Sequence, residues 1–212
     1  MLLLAHAGIT LGVTKLLNTA ISRNHASTTI SQNVKGPLPS ASATAQSSTE
    51  TRKTLWLSAL VNHIDVRILL IGSMLPDIVD KPIGLYLFRD TFSTGRLFCH
   101  TLLFFILITL AGVYLWKVRG KVWLLVLAFG TFTHLILDQM WLAYRTFLWP
   151  FFGFTFERED VTDWAAKMLR ALHTNPSVYL PEFIGAVVLI WFVLVLLRKK
   201  KICSFIKNGK VL

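Results

Sequence analysis

The chain has 212 residues, 54% of them hydrophobic and only 16% charged, whereas a soluble domain carries about 45–50% apolar and about 25% charged residues. This excludes a disordered chain and argues against a water-soluble enzyme. Twenty-two Lys and Arg against 11 Asp and Glu give +11, while Cys99 and Cys203 stand far apart and form no CxxC pattern, so neither a disulfide framework nor a thiolate metal site is indicated.

Five apolar segments follow in chain order: Leu2 to Leu17, Leu55 to Leu75, Thr101 to Trp116, Val122 to Leu137 and Phe183 to Leu197. Several are shorter than the roughly 20 residues that cross a bilayer and must borrow polar flanks or tilt. The first lacks a basic run before its apolar stretch and carries His6 and Lys15, so it reads as part of the mature protein rather than a signal peptide. The second is interrupted by Asn62, His63, Asp65 and Arg67, and its first half suits a membrane surface. These features predict an all-α, polytopic membrane protein with about five membrane-embedded helices and a short extracytoplasmic helix. The chain reads as one helical domain over residues 1–212, with a Ser/Thr-rich insertion at 19–51 and a basic tail at 198–212.

Basic residues favour the cytoplasmic side of a membrane. Arg52-Lys53, the loop Lys117 to Lys121 and the run Arg198 to Lys201 therefore place the N-terminus outside and the C-terminus inside. Gln139 to Glu182 falls outside. Within it, the aromatic stretch Trp141 to Phe156 suits either the membrane interface or the wall of a lipid-accessible cleft, and Glu159 to His173 suits a short helix with Trp164, Met168, Leu169 and Leu172 on one side. Most of the positive charge is thus explained by topology. Its scatter over several loops, without an interleaved aromatic platform, leaves no expectation of a nucleic-acid partner. Membrane lipids are the expected surroundings.

Ionisable groups beside apolar spans are costly unless paired, hydrated or bound to a metal. Asp77 and Asp80 end the second segment, His100 opens the third, and His134 with Asp138 closes the fourth on one helical face. The charge-derived topology brings these five residues and His6 to one side of the membrane. Three imidazoles and three carboxylates suit Zn²⁺, with Mn²⁺ or Fe²⁺ as alternatives, and six candidates are enough for two ions. Such a centre activates water and holds the oxygens of a phosphate ester. Arg96, four residues before His100, suits a phosphate oxygen or a headgroup anchor. Asp80 and Asp138 are the acid–base candidates. The same residues also suit an ion pathway in a transporter or ion-binding module, and a noncatalytic membrane scaffold is a further alternative.

The chain resembles the membrane-bound metal-dependent hydrolase family, also described as LexA-binding, inner-membrane-associated hydrolases. The resemblance rests on His6 followed by Gly8 and Gly12, Leu75-Pro76-Asp77-Ile78-Val79-Asp80, the Arg96 to His100 element, His134-Leu135-Ile136-Leu137-Asp138 and Leu148-Trp149-Pro150. It implies a divalent metal and hydrolysis, with His6, Asp77, Asp80, His100, His134 and Asp138 as ligands or catalytic residues. The leading expectation is cleavage of a phosphoester on a lipid-linked or membrane-proximal substrate. The family's His-Arg-Gly-x-Thr-His element appears here as Gly95-Arg96-Leu97-Phe98-Cys99-His100, without the first histidine, the glycine and the threonine.

Overall fold

The computed structural model describes residues 4–16, 19, 65–158, 160 and 163–209, and all regular structure among them is helical. The chain divides into two compact units, one of Met1–Leu11 with Asp65–Leu212 and the other of Gly12–Ile64. Of the second unit only residues 12–16 and 19 are described, as the end of a helix and one further helical position. The Ser/Thr-rich insertion expected at 19–51 lies outside the described residues apart from Thr19.

Helix α1 is described over residues 4–16, of which residues 4–11 open the larger unit. Next comes α2, Val66–Pro82, which runs through a π-helical turn at Ile83–Leu87 into the short α3, Arg89–Phe92. A 3₁₀ turn at Phe98–His100 leads into α4, Leu102–Arg119, and the loop around Gly120 returns the chain in α5, Trp123–Leu137. A 3₁₀ turn at Met140–Ala143 and α6, Tyr144–Phe147, follow. The chain ends with α7, Trp164–Thr174, α8, Pro176–Arg198, and α9, Ile202–Asn208.

Local chemistry sets several of these boundaries. The Asp65 carboxylate caps α2 by accepting from the Arg67 backbone N–H at 2.9 Å, and Thr101 caps α4 by accepting from Phe104 N–H at 3.1 Å. Gly120, at φ +65°, ends α4 in the left-handed conformation that glycine adopts without strain. The loop Lys117 to Lys121 thereby becomes a tight reversal. It brings the beginning of α4 and the end of α5 to the same end of the pair.

The expectation of five membrane-embedded helices is overturned. Among the described residues two helices, Leu102–Arg119 and Pro176–Arg198, are long and apolar enough to cross a membrane. There are up to three if Trp123–Leu137 and Met140–Phe147, bent by 79°, count as one broken span. The physical reason is length and charge. The described part of α1, residues 4–16, falls short of a hydrocarbon layer of about 30 Å at about 1.5 Å per residue. The 17 residues of α2 include Arg67, Asp77, Asp80 and Lys81. Leu55 to Ile64, the start of the expected second span, lies outside the described residues.

Much of the apolar character of these shorter helices serves contact between helices. Gly72 of α2 and Gly130 of α5 let the two backbones meet: a Cβ on Gly130 would lie 2.6 Å from Leu69 O and 2.7 Å from Ser73 N, and one on Gly72 would strike Leu127 O. Helix α1 docks on α8 in the same way, since a Cβ on Gly8 would strike the Gly185 backbone. Beside that contact the buried Glu182 carboxylate accepts from Ala5 N–H at 3.2 Å, while its Oε1 has no hydrogen-bond partner among the described residues. The short helix expected over Glu159 to His173 is α7. Its half-buried side chains include Met168, Ala171 and Leu172, whereas Leu169 is exposed.

Gly130→Ala is expected to destabilise the protein by about 1–3 kcal/mol through overpacking of α2 against α5. A fall in the thermal-unfolding midpoint in detergent would show it; an unchanged midpoint would contradict the close backbone contact.

Candidate metal centre

Asp77 lies on α2, His134 on α5 and Asp138 at the cap that ends α5. Asp138 sits at a break, because Gln139 takes a left-handed conformation at φ 51° and the chain turns into the following 3₁₀ segment. His100 arrives from the 3₁₀ turn before α4. One donor atom from each of Asp77, His100, His134 and Asp138 lies within 4.8 Å of the others.

Hydrogen bonds on the far sides of both imidazoles decide what they present to this cluster. His134 donates Nδ1–H to the Ser73 carbonyl at 2.7 Å, since a carbonyl only accepts. His100 donates Nδ1–H to Asp80 Oδ2, also at 2.7 Å. The two Nε2 atoms face each other at 3.2 Å. In the neutral rings both are therefore lone-pair donors directed at one point. Asp77 Oδ1 stands 3.6 Å from His100 Nε2 and 3.8 Å from His134 Nε2, buried and without a hydrogen-bond partner among the described residues.

Asp138 completes the group from the other side, with Oδ2 3.9 Å from His100 Nε2 and 3.6 Å from Arg96 Nε. Its Oδ1 accepts from His6 Nε2 at 3.1 Å, and the His6 ring stacks on His134 with centroids 4.1 Å apart. His6 thus reaches the centre through Asp138 and His134.

Asp80 is placed differently from Asp77. Its buried carboxylate accepts from the backbone N–H groups of Leu97 at 2.9 Å, Cys99 at 3.0 Å and His100 at 3.2 Å, as well as from the His100 ring. It folds residues 97–100 around the end of α2 and lies outside the four convergent donors.

Two partners escaped the sequence reading. Lys81 donates to Asp77 Oδ2 at 2.6 Å; the four-residue spacing on a helix carried that signal. Ser73 accepts through its backbone carbonyl, which no side-chain pattern reveals. Burial would push the Asp77 carboxyl up, but His100, Lys81 and His134 hold it below the usual carboxylate range.

Two ligand atoms bound to one zinc at about 2.0–2.1 Å can stand no more than roughly 4.2 Å apart. Four of the six separations, at 3.2, 3.6, 3.8 and 3.9 Å, meet that limit, and all six lie within 4.8 Å. The orphaned Asp77 oxygen is what a shared proton between the imidazoles leaves unsatisfied and a cation satisfies. The donor set therefore fits a divalent metal.

An aromatic cluster adjoins the site. Phe98, two residues before His100, packs edge-on against Trp149 and Phe156 at 5.5 and 5.0 Å between centroids. Phe151, Phe152 and Phe154 project outward from the same loop. The sequence stretch thus splits into rings that fasten the 97–100 turn and rings exposed on the surface.

Cys99 is buried beside Asp80; burial first, then the carboxylate, pushes its thiol up to about 12. At pH 8 its thiolate fraction is on the order of one part in ten thousand. Iodoacetamide is expected to label the exposed Cys203 and spare Cys99 in the folded protein, as read by peptide mass spectrometry. Comparable labelling of both would contradict the packing of this turn.

The family model described as YdjM inner membrane protein matches residues 36–207. That span takes in Asp77, His100, His134 and Asp138, with His6 standing before it. No curated protein and no solved structure matches the chain. The match covers most of the chain, and the protein belongs to the YdjM inner membrane protein family.

Proposed function

We propose that this membrane protein is a metal-dependent hydrolase that cleaves a phosphoester on a lipid-linked or membrane-proximal substrate. The observation that carries the reading is the buried, unpartnered Asp77 Oδ1 facing two imidazole nitrogens whose rings are fixed by Ser73 and Asp80. Asp77, His100, His134 and Asp138 would hold the ion. Two imidazoles and two carboxylates suit zinc first, with manganese or iron as alternatives, and convergence on one point favours a single ion over two. When bound, the metal supplies Lewis acidity toward a phosphoryl oxygen and toward water.

The remaining roles follow from the contacts. Asp80 orients His100 and keeps its Nε2 turned inward. His6 holds Asp138 from behind, and this pair is the proton-handling candidate, since the Asp80 oxygens already receive four N–H groups. Arg96, at the partly exposed edge, is placed to meet phosphoryl oxygens. The long apolar helices and the outward phenylalanines favour a substrate presented at the membrane surface.

With the basic loop between α4 and α5 and the basic residues after α8 on the cytoplasmic side, three crossings alternate and place the centre outside. The C-terminus is then cytoplasmic.

Detergent-purified wild type is expected to retain about one Zn, Mn or Fe per chain by elemental mass spectrometry after adventitious metal is removed. His134→Ala and Asp77→Asn should lose it while circular dichroism stays helical, and loaded wild type should turn over a chromogenic phosphoester. No retained metal after controlled reloading would end the metallohydrolase reading; ion flux in proteoliposomes without turnover would move the residues to transport.

Asp80→Asn keeps all four convergent donors and loosens the support of His100. Its metal affinity is expected to fall about 10- to 100-fold, measured by competition with a chromogenic chelator. Unchanged affinity would remove Asp80 from the centre.

A further inference from the structure

The two ends of α8 lie at opposite ends of the unit. Glu182, near its start, meets Ala5 and so stands at the level of His6 and the four convergent donors. From there to Arg198 the helix covers about 24 Å at about 1.5 Å per residue. Helix α2 agrees: its beginning touches α9 through Val66 and Arg67, whereas Asp77 and Asp80 lie toward its other end.

Beyond Arg198 the chain reverses. Lys200 takes a left-handed conformation at φ 53°, and the Lys200 and Lys201 N–H groups donate back to the Leu197 and Leu196 carbonyls at 3.0 Å. Helix α9 then returns alongside the span, with the Phe205 ring edge-on to Phe192 at 5.7 Å between centroids. Phe192 lies about 9 Å inside the end of α8 at about 1.5 Å per residue, so α9 sits at the depth of the last turns of α8 rather than trailing into water. A second side pins it there. Arg67 Nη1 donates to the Ile206 carbonyl at 2.6 Å, and Val66 N–H donates to the Gly209 carbonyl at 3.0 Å.

This reversal sorts the side chains by chemistry. Arg198, Lys199, Lys200 and Lys201 are gathered at the turn and exposed, and among the described residues no hydrogen bond or ion pair engages their side chains. Asp65, the acid beside Gly209, is taken up by Arg67 at 2.6 and 3.0 Å. Helix α9 exposes Ile202 and Ile206, one turn apart, at 40% and 63%, and the end of α8 exposes Leu194 and Leu197. Four cations at the rim of an apolar surface, held at the depth of the last turns of a span, match the boundary between headgroups and acyl chains. A nucleic acid or an acidic protein would answer the charge and leave the isoleucines unmatched.

We propose that the turn at residues 198–201 and helix α9 form a binding site for an anionic phospholipid, whose phosphate meets the basic side chains and whose acyl chains lie on Ile202 and Ile206. The site stands apart from the metal centre and does not depend on it.

The test uses full-length protein in phosphatidylcholine bilayers with a trace of spin-labelled phosphatidylglycerol or spin-labelled phosphatidylcholine, and electron paramagnetic resonance reads the fraction of each held at the protein. Both leaflets carry the same lipids, so the result does not depend on orientation. Wild type is expected to hold phosphatidylglycerol about 3- to 10-fold more strongly than phosphatidylcholine, and to lose most of that preference in about 1 M salt, where charges are screened beyond about 3 Å. Arg198→Gln, Lys199→Gln, Lys200→Gln and Lys201→Gln together should bring the ratio within about twofold of unity. Lys117→Gln, Arg119→Gln and Lys121→Gln, which strip exposed charge from the α4–α5 loop, should leave it nearly as in wild type. Ile202→Ser with Ile206→Ser keeps every charge and should weaken the hold on phosphatidylglycerol about 2- to 5-fold through lost apolar contact. Wild type that holds both lipids equally would leave the surface to another partner and overturn the proposal. So would an unchanged ratio in the folded four-residue variant, or a ratio that falls with the loop variant instead. Unchanged binding in the isoleucine variant also overturns it, because charge alone would then suffice, and this variant decides if the four-residue one loses its helical circular dichroism.

Discussion

Two imidazole nitrogens face each other at 3.2 Å with their rings already committed on the far side, and much of the surrounding structure follows from holding them there. The Ser73 carbonyl fixes one ring and the Asp80 carboxylate fixes the other. Turning either ring over would bring an N–H against the other or leave a buried carbonyl or carboxylate without its donor. Such a buried loss costs about 1–3 kcal/mol. The pair is thus locked into the arrangement in which a cation between the rings is favourable. Asp77 then contributes an oxygen that has no hydrogen-bond partner among the described residues.

Helix packing sets the precision of that arrangement. Ser73 and Asp77 share α2, while His134 and Asp138 belong to α5, so the spacing of the two helices sets the spacing of the donors. Gly72 and Gly130 allow backbone contact at that level, and Thr131 reinforces it by donating to the Gly72 carbonyl at 3.3 Å. The position of His100 depends instead on Asp80, which gathers the backbone N–H groups of Leu97, Cys99 and His100 around its carboxylate, and on the Phe98 ring wedged against Trp149 and Phe156. Two mechanically different supports therefore meet at the pair.

What the sequence disclosed depended on the range of the interaction. The grouping of His6, Asp77, Asp80, His100, His134 and Asp138 was expected from a five-span charge topology that the described helices do not keep, while the shared turn of His134 and Asp138 was legible because four residues make one helical turn. The division of labour between Asp77 and Asp80 was not. Three residues apart on α2, they share a face, and only the fold of residues 94–100 decides which one receives backbone N–H groups. The number of crossings was misread for a related reason. Hydropathy counts apolar side chains without distinguishing those that face lipid from those that face another helix; on α4, Leu107, Leu110 and Tyr114 are exposed, whereas on α2 and α5 the close contacts lie between the helices.

The clasp between α1 and α8 joins the first helix of the unit to its long C-terminal helix through Gly8, Gly185 and the Glu182 carboxylate. His6 is the neighbour of Ala5, whose N–H that carboxylate holds, so the ring behind Asp138 is anchored to the C-terminal membrane helix rather than to the helices that carry the four donors. A polypeptide ending before Pro176 would still contain all four convergent residues and would lack the strut that keeps Asp138 aligned. Completion of the centre during synthesis therefore waits for the last crossing, and a chain interrupted before it emerges with its donors present and their geometry unfinished.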